Sequence, residues 1–495
     1  MFREAGLDRA VDDPAALSVK GRLLKDRAIA ASGKARHDCY RGAAQAYSRA
    51  AHLSGTCYPL INAATLSLLA GDKARSRRLA RQVLAHREDE TETAYWKAAT
   101  RAEAYLLLGE IANAKLTLTE ALCRAPYAFE DHASTLRQFG LILEALGQDA
   151  AWLDTLRPPR CVHFAGSMGL SATAPSLTAK IRDFVARERV GFGYGALAAG
   201  ADLLAAEALL AEGAEIHVYL PAAIDTFRKT SVSPYGASWT KRFDAVLAKA
   251  NRVQVVADEG QSALGVRLAA EIAMGNAAMH ARLLTTEAIQ LLLFGPRDKA
   301  RRKTASGSIG EIWKRSGRRQ QVMTAGGRNV AGHYSKELAQ TQSGCLAAVL
   351  CIQADAAERQ PHVLRHIAKI LSGGKALLRP RWNGDSVLAA FSTAGAAADR
   401  ALAIASAMRG AVRIGGHYSV VRTLPDPFGT GQLLAGASAR VAQEIAGSAP
   451  DSAIHVSENF AAALFAASAK PPRIENLGEL PAETGRAIGL FALLP

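Results

Sequence analysis

Aromatic residues are scarce in this chain, 6% of 495 positions. No uncharged apolar run approaches the roughly 20 residues that a helix needs to cross a bilayer, which excludes a membrane protein of the helical kind. The six cysteines, Cys39, Cys57, Cys123, Cys161, Cys345 and Cys351, form no CxxC pair. That argues against structural zinc and for reduced, buried thiols. The first residues, Met1-Phe2-Arg3-Glu4-Ala5-Gly6-Leu7-Asp8, carry acids where a secretory leader has a basic and then an apolar region, so the expected location is the cytoplasm. A strict GxGxxG with a trailing acid is also missing, and no nicotinamide cofactor is expected.

What is present is a core-forming composition, 49% hydrophobic and 21% charged, rich in alanine and suited to helices packed through small side chains. The length suggests about three domains. Net charge is +15, which permits contact with nucleic acid, nucleotides or anionic lipid; Arg-rich solvated faces are the plainer reading. The charge is concentrated at Arg297, Lys299, Arg301, Arg302, Lys303, Lys314, Arg315, Arg318 and Arg319, against only Asp298 and Glu311. Exposed at that density, the stretch would bind a polyanion weakly.

Residues 1–155 read as helices with an internal repeat. Leu69-Ala70-Gly71-Asp72, Leu107-Leu108-Gly109-Glu110 and Ala145-Leu146-Gly147-Gln148 recur with their glycines 38 residues apart. Each follows an apolar helical stretch, the pattern of stacked helix–turn–helix units. Glycine belongs at those turns because it tolerates positive φ. With Tyr58-Pro59-Leu60-Ile61-Asn62-Ala63-Ala64 and Tyr95-Trp96-Lys97-Ala98-Ala99-Thr100, the region around 40–150 resembles the bacterial TRAFs-binding domain, a tetratricopeptide-like fold. The resemblance implies a contact with a protein partner and no chemistry.

Residues 160–326 alternate strands and helices. Strands are expected at 161–165, 215–220, 252–256, 289–294 and 320–323, and helices at 176–187, 201–210 and 309–315. This rhythm predicts a doubly wound, largely parallel sheet with its ligand at the carboxyl ends of the strands. Gly166-Ser167-Met168-Gly169 and Gly191-Phe192-Gly193-Tyr194-Gly195 are read as glycine turns. The run Gly195-Ala196-Leu197-Ala198-Ala199-Gly200-Ala201-Asp202, with Glu207, resembles the SLOG superfamily of Rossmann-like nucleotide-binding domains. That family is related to cytokinin-activating LOG enzymes and to a DNA-processing protein of transformation. On this resemblance Gly166, Ser167, Gly193 and Gly195 bring backbone N–H groups to a phosphate, and Asp202 and Glu207 accept from a ribose or base. Met274-Gly275-Asn276-Ala277 falls where relatives carry a helix facing the same pocket. Gly166-Ser167-Met168 departs from the Gly-His-Met of close relatives. Tight strand–helix packing is the competing reading of the glycines, and helix N-terminal electrostatics that of Asp202.

Residues 342–495 follow another order: strand 346–352, helix 362–371, strands 376–381 and 386–391 about an Asn383-Gly384-Asp385 turn, helix 396–408, strand 412–417 and helix 437–445, after which Ile454-His455-Val456-Ser457-Glu458 opens the last unit. Gly384-Asp385-Ser386, Arg413-Ile414-Gly415-Gly416-His417, Ser438-Ala439-Arg440-Val441 and Ile454-His455-Val456-Ser457 together resemble the class III adenylate/guanylate cyclase domain. That family cyclises a nucleoside triphosphate with two divalent ions held by two carboxylates, at a site built between two such domains. The resemblance assigns Asp385 as one metal carboxylate, Arg440 as the transition-state arginine, and Arg381 to the place of a base-reading lysine. Where the other carboxylate is expected stands Gln353, and Asp355 replaces it only if the strand slips by two residues, which keeps the same face. The ribose-orienting asparagine is replaced by Gly436.

The expected fold class is therefore a multidomain α and α/β chain: an N-terminal helical repeat, a central doubly wound Rossmann-like domain and a C-terminal α+β, ferredoxin-like domain of the cyclase type. The expected function is cytoplasmic signalling, with a nucleotide or nucleotide-derived ligand, a protein partner at residues 1–155, homodimerisation through 342–495, no membrane contact and no cyclase activity. Three alternatives stay open at this point. One is an active cyclase with Mg²⁺ or Mn²⁺ on Asp355 and Asp385. Another is a DNA- or RNA-binding protein using the basic stretch. The third is a LOG-like hydrolase, against which stand the lack of an arginine beside Gly193–Gly195 and of a Pro-Gly-Gly-x-Gly-Thr run.

Overall fold

The computed structural model describes all residues except 1–5, 7, 8, 10, 11, 87–91, 258–260, 296–304, 327–343, 355–360, 374, 375, 384, 385, 409–411, 428–431, 482–486 and 495. The chain forms two compact units, Met1–Pro158 with Leu283–Thr286, and Pro159–Arg282 with Glu287–Pro495.

The first unit is helical: α1 Pro14–Ala30, α2 Gly33–Ser54, α3 Cys57–Leu69, α4 Lys73–Ala85, α5 Ala94–Leu108, α6 Ile111–Arg124 and α7 Phe129–Leu146, then a short 3₁₀ turn at Ala151–Leu156. Gly71, Gly109 and Gly147 stand at φ +86°, +86° and +66°, as the repeat requires. Local chemistry sets the helix starts. Asp72 accepts the Arg75 N–H at 2.9 Å and Thr93 that of Trp96 at 3.3 Å, each satisfying a donor that the first turn leaves over. Ile61, Leu68, Leu106, Leu118, Phe139 and Ile142 fill one core.

A polar node ties four of these helices. Glu103 of α5 accepts from the Thr65 hydroxyl of α3 at 2.5 Å and from Gln138 Nε2 of α7 at 3.1 Å. Lys25 of α1 donates to Gln138 Oε1 at 2.6 Å. Burial raises the Glu103 pKa and lowers that of Lys25, as desolvation of a charge demands.

The second unit holds two sheets. The first comprises β1 Arg160–Gly166, α8 Pro175–Arg187, β2 Val190–Gly195, α9 Ala201–Ala211, β3 Glu215–Leu220, α10 Ile224–Phe227, α11 Ala237–Leu247, β4 Arg252–Val255, α12 Ala263–Leu283, β5 Ala288–Phe294, α13 Ala305–Arg315 and β6 Gln320–Thr324. Its strand order is β4-β3-β2-β1-β5-β6, with every pairing parallel. One face buries Val162, Phe164, Ile216, Val218 and Leu291 among α8, α9 and α11. The other face carries more polar groups, among them His163, Tyr194 and Gln290, against α12 and α13.

The second sheet comprises β7 Gly344–Ala354, α14 Pro361–Ser372, β8 Ala376–Asn383, β9 Ser386–Phe391, α15 Ala394–Ala407, β10 Val412–Pro425, β11 Gln432–Ala435, α16 Ser438–Ser448, β12 Ile454–Ser457, α17 Glu458–Ala467, β13 Arg473–Pro481 and β14 Ala487–Leu494. The order is β13-β14-β12-β10-β7-β9-β8, with β11 on the end of β10. The β10–β12 pair is parallel and the others antiparallel. Two adjacent glycines let β10 carry helices on opposite faces. A Cβ on Gly415 would fall 2.1 Å from Ala442 O of α16, and one on Gly416 would fall 3.0 Å from Val456 and 3.2 Å from Phe460 of α17. The expected multidomain architecture of helical repeat, parallel sheet and α+β sheet is what the chain adopts.

Candidate functional site

Two places collect the residues expected to act. The first is the carboxyl edge of the parallel sheet. β1 ends at Gly166, and Ser167 follows it against the N-terminus of α9: Ala201 N–H donates to Ser167 O at 3.1 Å, Gly169 N–H to Ala199 O at 3.3 Å and Ala199 N–H to Ser231 O at 3.0 Å. Gly200, at φ +109°, permits this meeting, since a Cβ there would lie 2.7 Å from Ser167 O. Asp202 sits in the first turn of α9, 8% exposed. Its Oδ2 accepts the Ala198 N–H at 3.1 Å. Burial lifts its pKa to about 7 against the pull of that hydrogen bond, so near neutrality this carboxyl can both donate and accept.

Gly166, Ser167 and Asp202 are thus brought together. Gly193 and Gly195 are not in a turn; they are residues of β2. A Cβ on Gly193 would meet Ile216 and Leu209 at 2.8 Å, and one on Gly195 would meet Phe164 at 2.5 Å. These glycines make room for core side chains. Glu207 faces away on α9 and is held by Arg242 of α11 through Nε at 2.7 Å and a second contact from Nη2. Arg242 also donates to Ala172 O at 3.0 Å and lies 4.1 Å over the Trp239 ring. Met274–Ala277 lie within α12, in its interior and not at the carboxyl edge.

The second place is the end of β7. Gln353 there pairs with Ser386 of β9 and with Arg413 of β10, beside the β8–β9 hairpin that closes at Asn383 and Ser386. Asp385 and Asp355 lie outside the described residues. Gly436, expected from the sequence at the place of a ribose-orienting asparagine, has φ +109° and open space around it. Arg440 is exposed in the first turn of α16. Arg381 is not free: it donates to Asp426 at 2.6 Å and pins β8 to the end of β10. That partner carboxylate was visible as Pro425-Asp426-Pro427, but nothing local assigns it a role. Among the described residues no group of three His, Cys, Asp or Glu is placed to hold a metal ion.

Arg297 to Lys303 of the basic stretch also lie outside the described residues. Arg318 donates to Ser468 O at 2.7 Å, and Arg319 is paired with Glu188 at 3.1 Å and Glu287 at 2.9 Å. A cleft of about 470 Å³ opens elsewhere, between Lys180, Asp183 and Arg187 of α8 and Gln321–Thr324 of β6; none of the expected site residues lines it. No helix among the described residues is long and apolar enough to cross a membrane.

The family model for Tetratricopeptide Repeats-Sensor matches residues 3–67. No curated protein matches the chain. Solved structures similar to part of it include the adenylyl cyclase CyaB from P. aeruginosa, at 13% identity over 31% of this chain and 95% of that one, with a TM-score of 0.27. The guanylate cyclase domain of RhGC from Catenaria anguillulae, solved in complex with GTP, is similar at 13% identity over 30% of this chain and 96% of that one, TM-score 0.26. The guanylyl cyclase domain of the RhoGC fusion protein from Blastocladiella emersonii is similar at 13% identity over 31% and 98%, TM-score 0.27.

Proposed function

We propose that this chain is a cytoplasmic signalling protein that binds a nucleotide or nucleotide-derived ligand, contacts a protein partner through residues 1–155, and pairs with a second copy through a cyclase-type domain at 342–495 that makes no cyclic nucleotide. The domain limits 1–155, 160–326 and 342–495 belong to this proposal. The observation that carries it is the end of β7. Gln353 occupies the strand end that faces Ser386 and the β8–β9 hairpin, where a two-metal cyclase needs a carboxylate.

The residues present do not fit a pair of Mg²⁺ or Mn²⁺ ions. Gln353 offers a neutral amide oxygen, and Gly436 offers the ribose no side chain. Losing such contacts costs roughly 10²–10³-fold in rate apiece, so no catalytic step is assigned. Arg440 is the cation offered to a triphosphate, and Arg381, steadied by Asp426, is the reader of a base. In the parallel sheet, Gly166, Ser167 and Asp202 form the ligand edge, with Asp202 directed to a ribose or base. Gly193, Gly195 and Glu207 are given packing and ion-pair roles.

Calorimetric titration of the full chain with ATP, ADP and AMP tests the reading, with Asp202→Ala and Arg440→Ala as the variants. Binding lost in Asp202→Ala assigns the ligand to the parallel sheet, and binding lost in Arg440→Ala assigns it to the cyclase-type domain. Failure of the wild-type chain to bind any of the three overturns the proposal.

A further inference from the structure

One helix serves both sheets of the second unit. On one side, α12 covers the polar face of the parallel sheet: Met274 Sδ lies 3.5 Å from Gln290 Nε2, and His280 Nδ1 meets the Tyr194 hydroxyl. On the other side it lies on the face of the second sheet that also carries α17. The Tyr418 hydroxyl of β10 donates to Glu271 Oε2 at 2.7 Å, while Arg267 holds Oε1 of the same carboxylate at 2.8 Å. Glu271 is 6% exposed and Tyr418 is 3% exposed. One turn further, Gly275 approaches the backbone of Ala462 in α17 so closely that a Cβ would lie 1.9 Å from Ala462 O. At the C-terminal end, Arg282 sits 5.4 Å over Phe465 and reaches Pro471 O at 3.4 Å. Beside α12, Arg252 of β4 is paired with Glu458, the first residue of α17, at 2.7 Å.

This arrangement exceeds what packing needs. A buried carboxylate is costly to desolvate, and here it is spent on a hydroxyl from the other sheet. The start of α12 lies at the carboxyl edge of the parallel sheet, where Val256 N–H donates to Leu220 O and Gly265 sits against Pro221 O. A helix of 21 residues spans about 30 Å, so its first turns lie at the carboxyl end of β3, on the same edge of the sheet as Gly166 and Ser167, while its middle grips β10 and α17.

We propose that α12 is a coupling helix: it joins the opening of the C-terminal sheet, at β10 and α17, to the state of the parallel sheet's ligand edge through the Glu271–Tyr418 bond and the Gly275–Ala462 contact. The ligand side of this statement rests on the nucleotide-binding reading above; the mechanical side does not. Coupling of this kind needs an element whose arrangement both sites bias, and α12 is in contact with both sheets.

Hydrogen exchange on the full chain tests it, comparing wild type with Tyr418→Phe and Gly275→Ala, each with and without ATP. Tyr418→Phe removes one hydroxyl and leaves the ring to pack. The expected result without nucleotide is exchange faster by about tenfold or more in residues 263–283 as well as in 412–425 and 458–467. A change confined to 412–425 in Tyr418→Phe, or confined to 263–283 in Gly275→Ala, overturns the coupling. With ATP, protection of both 263–283 and 458–467 in wild type, reduced to 263–283 in Tyr418→Phe, supports it. Protection of 263–283 alone in wild type contradicts it. If calorimetry shows ATP bound and neither segment is protected, the ligand side of the coupling is overturned; if ATP does not bind, the nucleotide reading fails, and the comparison without nucleotide still decides whether α12 couples the sheets.

Discussion

Replacing Gly275 by alanine sets two opposite effects against each other. Gly275 is an interior residue of α12, and alanine in a helix interior is better than glycine by about 1 kcal/mol. Acting alone, that preference would stabilise the protein. Against it, the new Cβ would fall 1.9 Å from the carbonyl oxygen of Ala462, 2.3 Å from its carbon and 2.5 Å from its Cα. These are backbone atoms of another helix and have no rotamer to move into. Relief requires α12 and α17 to part, and overpacking a close contact costs about 1–3 kcal/mol. The expected net effect is a loss of up to about 2 kcal/mol. Gly140 supplies the control. It too lies inside a helix, α7, but a Cβ there meets nothing within 4 Å. Gly140→Ala is therefore expected to stabilise by about 0.5–1 kcal/mol. Because the chain has two compact units, a single two-state fit is unsuitable. Hydrogen exchange in urea, read separately in residues 129–146 and 263–283, gives each effect in its own unit. A Gly275→Ala chain stabilised by about 1 kcal/mol, as Gly140→Ala is expected to be, would refute the close-contact argument.

Acid sensitivity of the second unit follows from its buried His163 and its half-buried His217, His280 and His417. Burial holds His163 at about 3 and His217, His280 and His417 at about 4, against about 6.5 in the unfolded chain. The unfolded state therefore takes up protons first as pH falls. The stability these groups contribute is present above about 6.5 and is lost between there and 4, at up to about 1.4 kcal/mol per pH unit for each. Asp202, raised to about 7, works the other way and offsets one of them. Urea midpoints of the second unit, read from exchange in residues 263–283 at pH 7.5, 6.5 and 5.5, should fall steadily, and a rise would contradict the desolvation of the histidines. In the first unit, the Tyr95 hydroxyl bonds Thr135 at 3.0 Å and His132 at 3.1 Å in a buried setting. Tyr95→Phe should cost about 1–2 kcal/mol, read from hydrogen exchange in urea over residues 94–108, with no effect on nucleotide binding. Gln353→Asp should raise Mn²⁺ affinity by about tenfold, because hard divalent cations prefer carboxylate oxygen. Titration should show the gain vanish in Gln353→Asp/Asp385→Ala.

Features set by a single residue's own needs were legible in the chain. Gly71, Gly109 and Gly147 announce helix ends because a left-handed residue favours glycine whatever surrounds it, and each has that conformation. The strands β1, β3, β5, β7 and β9 are short apolar runs with clear punctuation and lie where they were expected. What depended on distant partners was hidden. Gly193 and Gly195 share their spacing with a phosphate turn, yet serve Phe164, Ile216 and Leu209, which approach from β1, β3 and α9. Glu207 reads as a ligand acceptor until Arg242 is seen to hold it. Arg381 is tied to Asp426, 45 residues away. Glu271 bonds Tyr418 across 147 residues, and no local pattern marks either end. The same holds for β10, which continues past the expected strand to Pro425 because β7 and β11 both pair along it.

The central claim, a chain that binds nucleotide and whose cyclase-type domain does not cyclise it, is tested most directly by incubating the full chain with Mn²⁺ and ATP or GTP. Binding and cyclic nucleotide formation are followed in the same samples, with Asp385→Ala alongside. The account predicts binding and no cyclic product from either triphosphate. Cyclic product from the wild-type chain that disappears in Asp385→Ala would contradict it and would make the protein a working cyclase.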